Sequence, residues 1–134
     1  EIVGLTPVLN NFIDNFRKHS TLKITFRNDL ADKKIPGDTA IIIYRVIQEA
    51  LTNITKHAKA QKVSMRLYSD KNKVHLDITD DGVGFDVDKV SKRKGTIKIG
   101  IQGMRERVES LGGEFMIKSA FKEGTQLKAA LPKK

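Results

Sequence analysis

Apolar and polar positions follow two rhythms along this chain, one near 3.6 residues and one of two. Val8, Leu9, Phe12, Ile13 and Phe16 recur at helical spacing after Thr6-Pro7, a pair suited to an N-cap and first helical position. This predicts a helix over residues 7–19. Leu22, Ile24 and Phe26 then alternate with Lys23, Thr25 and Arg27, the period of a half-buried strand. The polar stretch Asn28–Gly37, with its Pro-Gly, predicts a loop. Asp38 is placed to cap a second helix through about Ala58, with Ile43, Ile47, Ala50, Leu51 and Ile54 on its apolar face.

Strand rhythm returns in Val63, Met65 and Leu67, and again in Val74, Leu76 and Ile78, with Ser69-Asp70-Lys71-Asn72 as the hairpin break. A segment rich in Gly and Lys follows, about residues 80–100. A third helix then carries Ile101, Met104, Val108 and Leu111 and stops at Gly112-Gly113. Phe115 and Ile117, with Leu127, Ala129 and Leu131, form a last hairpin around Lys122-Glu123-Gly124. The order α-β-α-β-β-loop-α-β-β predicts an α/β (α+β) two-layer sandwich. Its mixed sheet has about five strands and three helices on one face. It is not a βαβαβ crossover series, which disfavours a dinucleotide-binding doubly wound fold.

Length and composition narrow the chemistry. The 134 residues suit a single domain, read here as spanning 1–134. With no Cys, a disulfide framework, a thiolate metal site and a thiol nucleophile are excluded. Three scattered His cannot form a histidine cluster for a metal. No apolar run reaches the length of a membrane span. The net charge of +9 favours polyanionic ligands without choosing among them. Because the chain opens on Glu1 rather than Met, it is read as a processed product or an excised piece of a longer protein, the second reading being preferred.

Three constellations carry candidate chemistry. Glu49, Asn53 and His57 stand at i, i+4 and i+8 on the second helix. Each step rotates by about 40° on a helix of 3.6 residues per turn, so the three form one stripe, with Lys56 beside it. An amide oxygen there suits Mg²⁺, a carboxylate can orient a water or accept a proton, and a lysine can meet phosphate. Taken alone, the stripe also fits an ordinary solvated helix face. Asp80-Asp81-Gly82-Val83-Gly84-Phe85 follows a strand end. An acid there can accept from an exocyclic amine, and glycines let the backbone approach a flat ligand. The same residues also suit a plain turn. Gly100-Ile101-Gln102-Gly103-Met104-Arg105 is taken to open the third helix, where free N–H groups bind phosphate, although many helices open on Gly.

The three together, in this order, with Gly124-Thr125 in the final hairpin, resemble the ATP-binding domain of sensor histidine kinases. The wider group includes the gyrase, Hsp90 and MutL ATPases. Gln48–Ala58, Asp80–Phe85 and Gly100–Arg107 are similar to its N, G1 and G2 boxes, and the likeness extends over about residues 20–132. Gln-Glu-Ala-Leu-Thr-Asn, Lys-His-Ala and Gly-Met-Arg-Glu-Arg resemble the nitrate-sensor and DesK-like subfamily.

The resemblance implies the Bergerat ATP-binding fold, and ATP and Mg²⁺ as cofactors. It implies Asn53 as the Mg²⁺ ligand and Glu49 as the acid assisting phosphoryl transfer. Lys56 and His57 would lie near the phosphates, and Asp81 would read adenine with support from Thr125. Gly82 and Gly84 would flank the base, Gly100 and Gly103 would border the lid and phosphates, and Arg105 is a weaker candidate. Residues 86–99 would be the lid, with Lys89, Lys92, Arg93, Lys94 and Lys98.

None of His19, His57 and His75 has the sequence context of an acceptor histidine. The implied enzyme is therefore the catalytic half of a protein histidine kinase. Its partners would be a separate helical dimerisation and phosphoacceptor domain of the same protein, and a response regulator. Residues 1–20 are either the domain's own first helix or the tail of the connection to those helices. The isolated domain is expected to be a cytoplasmic monomer, joined to a membrane only through the rest of its parent. Three rival readings stand beside this one. The first is another ATPase of the group or an anti-sigma-type serine kinase. The second is a non-enzymatic basic nucleic-acid module, for which eight aromatics offer little stacking. The third is a degenerate ATP-binding domain that has lost its activity, against which the intact Glu49, Asn53, Asp81 and glycines speak.

Overall fold

The computed structural model describes residues 2–30, 35–92 and 95–133. Strand β1 (Ile2–Val3) leads into helix α1 (Leu5–Lys18), then β2 (Lys23–Asn28), β3 (Ile35–Pro36) and α2 (Gly37–Asn53). A π-helical turn (Ile54–Ala58) extends α2. The hairpin β4 (Lys62–Ser69) and β5 (Lys73–Asp80) follows, then α3 (Val87–Lys92), α4 (Thr96–Ser110) and the hairpin β6 (Glu114–Ser119) and β7 (Thr125–Pro132).

The main sheet has the order β2-β4-β5-β7-β6. Only β2 and β4 run parallel; the other pairs are antiparallel, so the sheet is mixed as expected. The period of two assigns its faces. Val63, Met65 and Leu67 in β4, Val74, Leu76 and Ile78 in β5, and Leu127, Ala129 and Leu131 in β7 all point to one side and are buried. Leu5, Leu9 and Ile13 of α1, Ile43, Val46, Ile47 and Leu51 of α2, and Met104 and Val108 of α4 complete the same core. The other face of the sheet is polar. There the Arg66 guanidinium lies over the Tyr68 ring, Tyr68 stacks on His75, and His75 Nε2 meets Asp70 Oδ2 at 2.7 Å.

Several local expectations are corrected. Helix α1 begins at Leu5 with Gly4 as its cap, and Thr6 Oγ1 instead accepts from Asn28 Nδ2 at 2.9 Å. Asp38 lies in the first turn of α2, and Pro36 holds the cap position. Within the expected loop of 28–37, residues 35–36 pair with 2–3. The expected loop of 80–100 contains α3, and α4 starts at Thr96 rather than near residue 100. No helix of the described residues is long and apolar enough to cross a membrane.

Candidate functional site

A cleft partly open to solvent lies between the end of α2, the end of β5 and the start of α4. Its walls are apolar and come from the faces just described. Ile54 closes the end of α2; Ile78, Ile117 and Leu127 rise from β5, β6 and β7; Ile97, Ile101 and Met104 descend from α4. The last three stand at i, i+4 and i+7, one face of a helix. Asn53 and His57 enter from the α2 side, so the π-helical turn carries the stripe into the cleft.

One charge lies among these apolar walls. Asp80 is the only ionisable side chain buried among the described residues, at 6% exposure. Its Oδ1 accepts from the Gly82 N–H at 2.8 Å. Burial nevertheless pushes the Asp80 carboxyl up, and the neighbouring Asp81 charge adds to this.

Asp81 does not take the place expected of it. It is exposed, and its Oδ1 accepts the N–H groups of Gln61 and Lys62, each at 2.9 Å. Those bonds, from Lys62 first, hold its carboxyl below the usual carboxylate range. Asp81 is thus spent on fastening the start of β4, and Asp80 occupies the cleft. The parity of β5 explains the exchange. Val74, Leu76 and Ile78 face the core, so the next in-phase residue is Asp80, and Asp81 must point away.

The glycines divide by role. Gly84 adopts φ +66°, and a Cβ there would run into the Ala120 carbonyl oxygen. A Cβ on Gly82 would strike Ala58 at the end of the π-helical turn. The Val83 N–H reaches Ala58 O at 2.7 Å, and the Phe85 N–H reaches Ser119 Oγ at 2.9 Å, so the 82–85 loop is clamped from both sides.

Gly100 and Gly103 do not open α4. They lie inside the helix that begins at Thr96, so they are not its free N-terminal donors, as had been expected. The space beside Gly100 is occupied by the Glu49 carboxylate, with Asn53 Nδ2 at 3.1 Å from where a Cβ would stand. A bare helix surface at position 100 is what lets these two α2 side chains sit against α4. A Cβ on Gly103 would meet only Arg107 at 3.5 Å, an ordinary contact.

Of the other expected residues, Thr125 lines the cleft beside Asp80. Lys56 is exposed and does not line it. Arg105 Nη1 donates to Phe115 O at 3.1 Å on the edge strand β6, and its guanidinium lies over the Phe115 ring, a structural contact. Lys89 and Lys92 lie on or at the end of α3 and Lys98 on the first turns of α4; Arg93 and Lys94 lie outside the described residues. Among the described residues no group of three or more His, Cys, Asp or Glu side chains converges on a metal position.

A family model described as histidine kinase-, DNA gyrase B-, and HSP90-like ATPase matches residues 37–134. The signal transduction histidine-protein kinase/phosphatase DegS of Brevibacillus brevis is 33% identical over 130 residues, which are 97% of this chain and 33% of that protein. The sensor histidine kinase YdfH of Bacillus subtilis is 40% identical over 137 residues, covering 96% of this chain and 30% of that protein. The chain therefore spans about a third of the length of these two relatives. The solved structure of the mycobacterial sensor histidine kinase MprB superposes with a TM-score of 0.76 at 23% identity, over 98% of this chain and 96% of that one. At that identity the likeness is one of fold.

Proposed function

Because this chain belongs to the histidine kinase-, DNA gyrase B- and HSP90-like ATPase family, we propose that its cleft binds ATP as the catalytic half of a two-component sensor histidine kinase. The γ-phosphoryl group passes to a histidine on a separate helical dimerisation domain of the parent protein, for relay to an aspartate of a response regulator. The observation that supports this best is the buried Asp80 carboxylate, held by the Gly82 N–H among apolar walls. A structural role does not call for a charge there, since burial disfavours it. A flat, apolar base that brings its own N–H to the carboxylate does.

In this reading Asp80, and not Asp81, accepts from the exocyclic amine of adenine, with Thr125 beside it. Gly82 and Gly84 let the loop backbone approach the base. Asn53 lines the cleft and, with its Nδ2 toward Gly100, has a neutral amide oxygen to offer. This fits Mg²⁺, which takes one or two protein ligands and draws the rest from phosphate and water. When bound, Mg²⁺ supplies charge neutralisation across the phosphates. Asn53 would hold it.

Glu49, whose carboxylate packs beside Gly100, would accept the imidazole proton of the incoming histidine. The bond from γ-phosphorus to the bridging oxygen breaks, a phosphorus–nitrogen bond forms, and ADP leaves. His57 at the cleft, and Lys89, Lys92 and Lys98 of the lid, would add positive charge around the triphosphate, with Lys56 one residue from His57 on the π-helical turn. The domain works as a monomer on the cytoplasmic side, and any membrane attachment belongs to the rest of the parent.

The test is transfer from ATP to a phosphoacceptor domain supplied from a relative. Wild type is expected to give a phosphorylated product that is lost in acid and survives alkali, and Asn53→Ala to give none. A product that survives acid and is lost in alkali would point to a serine kinase instead.

A further inference from the structure

We infer that Ser119 is a positioning residue that sets the nucleobase preference of the cleft, by taking the hydroxyl proton of Thr125 and leaving that oxygen an acceptor only. This rests on the nucleotide reading above and names the class of base the cleft admits. Ser119 ends β6, and its Oγ has three partners. The Phe85 N–H donates to it at 2.9 Å. The Gly124 carbonyl oxygen lies 3.0 Å away and can only accept, so the Ser119 proton goes there. Thr125 Oγ1 is the third, at 2.7 Å.

A serine hydroxyl has one proton and two lone pairs. Phe85 uses one lone pair and Gly124 uses the proton. The contact with Thr125 therefore uses the second lone pair, and Thr125 is the donor. With its proton committed, Thr125 Oγ1 offers only lone pairs to the cleft that it lines. Its cross-strand partner is Asp80, whose carboxylate is likewise an acceptor.

Two acceptors side by side suit an exocyclic amine, as on adenine. A keto oxygen at the same place, as on guanine or hypoxanthine, would face two acceptors and no donor, and an unpaired polar group in a closed site is strongly disfavoured. Ser119 does not touch the base. It acts by fixing which way the Thr125 proton points, and it does so from a position locked by the 82–85 loop and the β6–β7 turn.

The experiment is calorimetric titration of ATP and of GTP into wild type, Ser119→Ala and Ser119→Thr, with thermal melts as the check on folding. Wild type is expected to prefer ATP. In Ser119→Ala the Thr125 proton is free to turn toward a keto oxygen, and the ratio of the two dissociation constants is expected to fall about tenfold or more. Ser119→Thr keeps the hydroxyl and is expected to restore the ratio. A purely structural role would weaken both nucleotides alike and leave the ratio unmoved.

If Ser119→Ala binds neither nucleotide, Thr125→Val decides, since losing the acceptor must also lower the ratio. An unchanged ratio in the deciding variant, or a wild type that binds ATP and GTP equally, overturns the inference and leaves the ATP reading standing. A folded wild type that binds neither nucleotide overturns both.

Discussion

Asp80 and Thr125 stand opposite each other on antiparallel strands β5 and β7, and both present their side chains to the same end of the cleft. The Gly82 N–H donates to the Asp80 carboxylate. The pair therefore puts a buried charge where the last turn of α2 and the start of α4 leave the sheet uncovered. The consequences for stability, nucleotide binding and assembly can be separated.

The Asp80 charge should cost stability that a neutral side chain recovers. Its carboxyl is pushed up by burial. A raised value in the folded state means the contribution is favourable below the ordinary carboxylate range and is lost as pH rises through the folded value. Wild type should therefore lose ground to Asp80→Asn as pH rises from about 4 toward 7. Melting both proteins across that window checks this. A variant that melts lower than wild type by the same margin at every pH would contradict it.

Asp81 should behave in the opposite way. Its carboxylate fastens the N–H groups of Gln61 and Lys62, and its carboxyl is held low. Such a group supports the fold above the ordinary carboxylate range and loses that support as pH falls through the lowered value. Asp81→Ala should melt below wild type at neutral pH, converge with it in acid, and keep its affinity for ATP. Loss of ATP binding in a folded Asp81→Ala would return the adenine contact to Asp81.

Gly84→Ala should destabilise by about 2 kcal/mol or more, because the residue must hold φ +66° and its Cβ meets the Ala120 carbonyl oxygen. Denaturant unfolding measures this directly. Gly103→Ala is the contrast, since its Cβ would make an ordinary contact with Arg107 and α4 favours alanine over glycine. Equal destabilisation of the two would contradict the assignment.

Two arginines occupy the open edges of the sheet. Arg17 Nη2 donates to Ile24 O on β2 at 2.9 Å, and Arg105 Nη1 donates to Phe115 O on β6 at 3.1 Å. Each fills an outward carbonyl that another strand could use. The double variant Arg17→Ala/Arg105→Ala should self-associate at concentrations where wild type stays monomeric, as sedimentation would show. An unchanged sedimentation profile would mean that the contacts only pack α1 and α4.

Much of the fold could be read from alternation alone. Met65, Leu76 and Leu127 announce the buried face of the sheet, and Ile43, Ile47 and Leu51 the helix laid on it. The site was legible in outline: Asn53, His57, Gly84 and Thr125 do line one cleft. The Asp80–Asp81 exchange was also within reach, because continuing the Val74–Ile78 alternation by one step selects Asp80. A turn signal at Asp81-Gly82 obscured it.

Other features had little signal. Gly100 reads as a helix opener, yet it serves as a gap for Glu49 inside α4, which only the packing of α2 on α4 reveals. The π-helical turn at Ile54–Ala58 leaves no pattern of its own in the chain. The role of Ser119 depends on three hydrogen bonds to residues distant from one another in the sequence or across a turn.

The most direct test of the account is calorimetric titration of ATP with Mg²⁺ into wild type, Asp80→Asn and Asp81→Asn. A hydrogen bond to a charged group is worth about 1.5–3 kcal/mol, which corresponds to roughly ten- to a hundredfold in affinity. Asp80→Asn should lose at least that much while remaining folded, and Asp81→Asn should bind as wild type does. Full affinity in Asp80→Asn, or loss confined to Asp81→Asn, would contradict the assignment of the cleft.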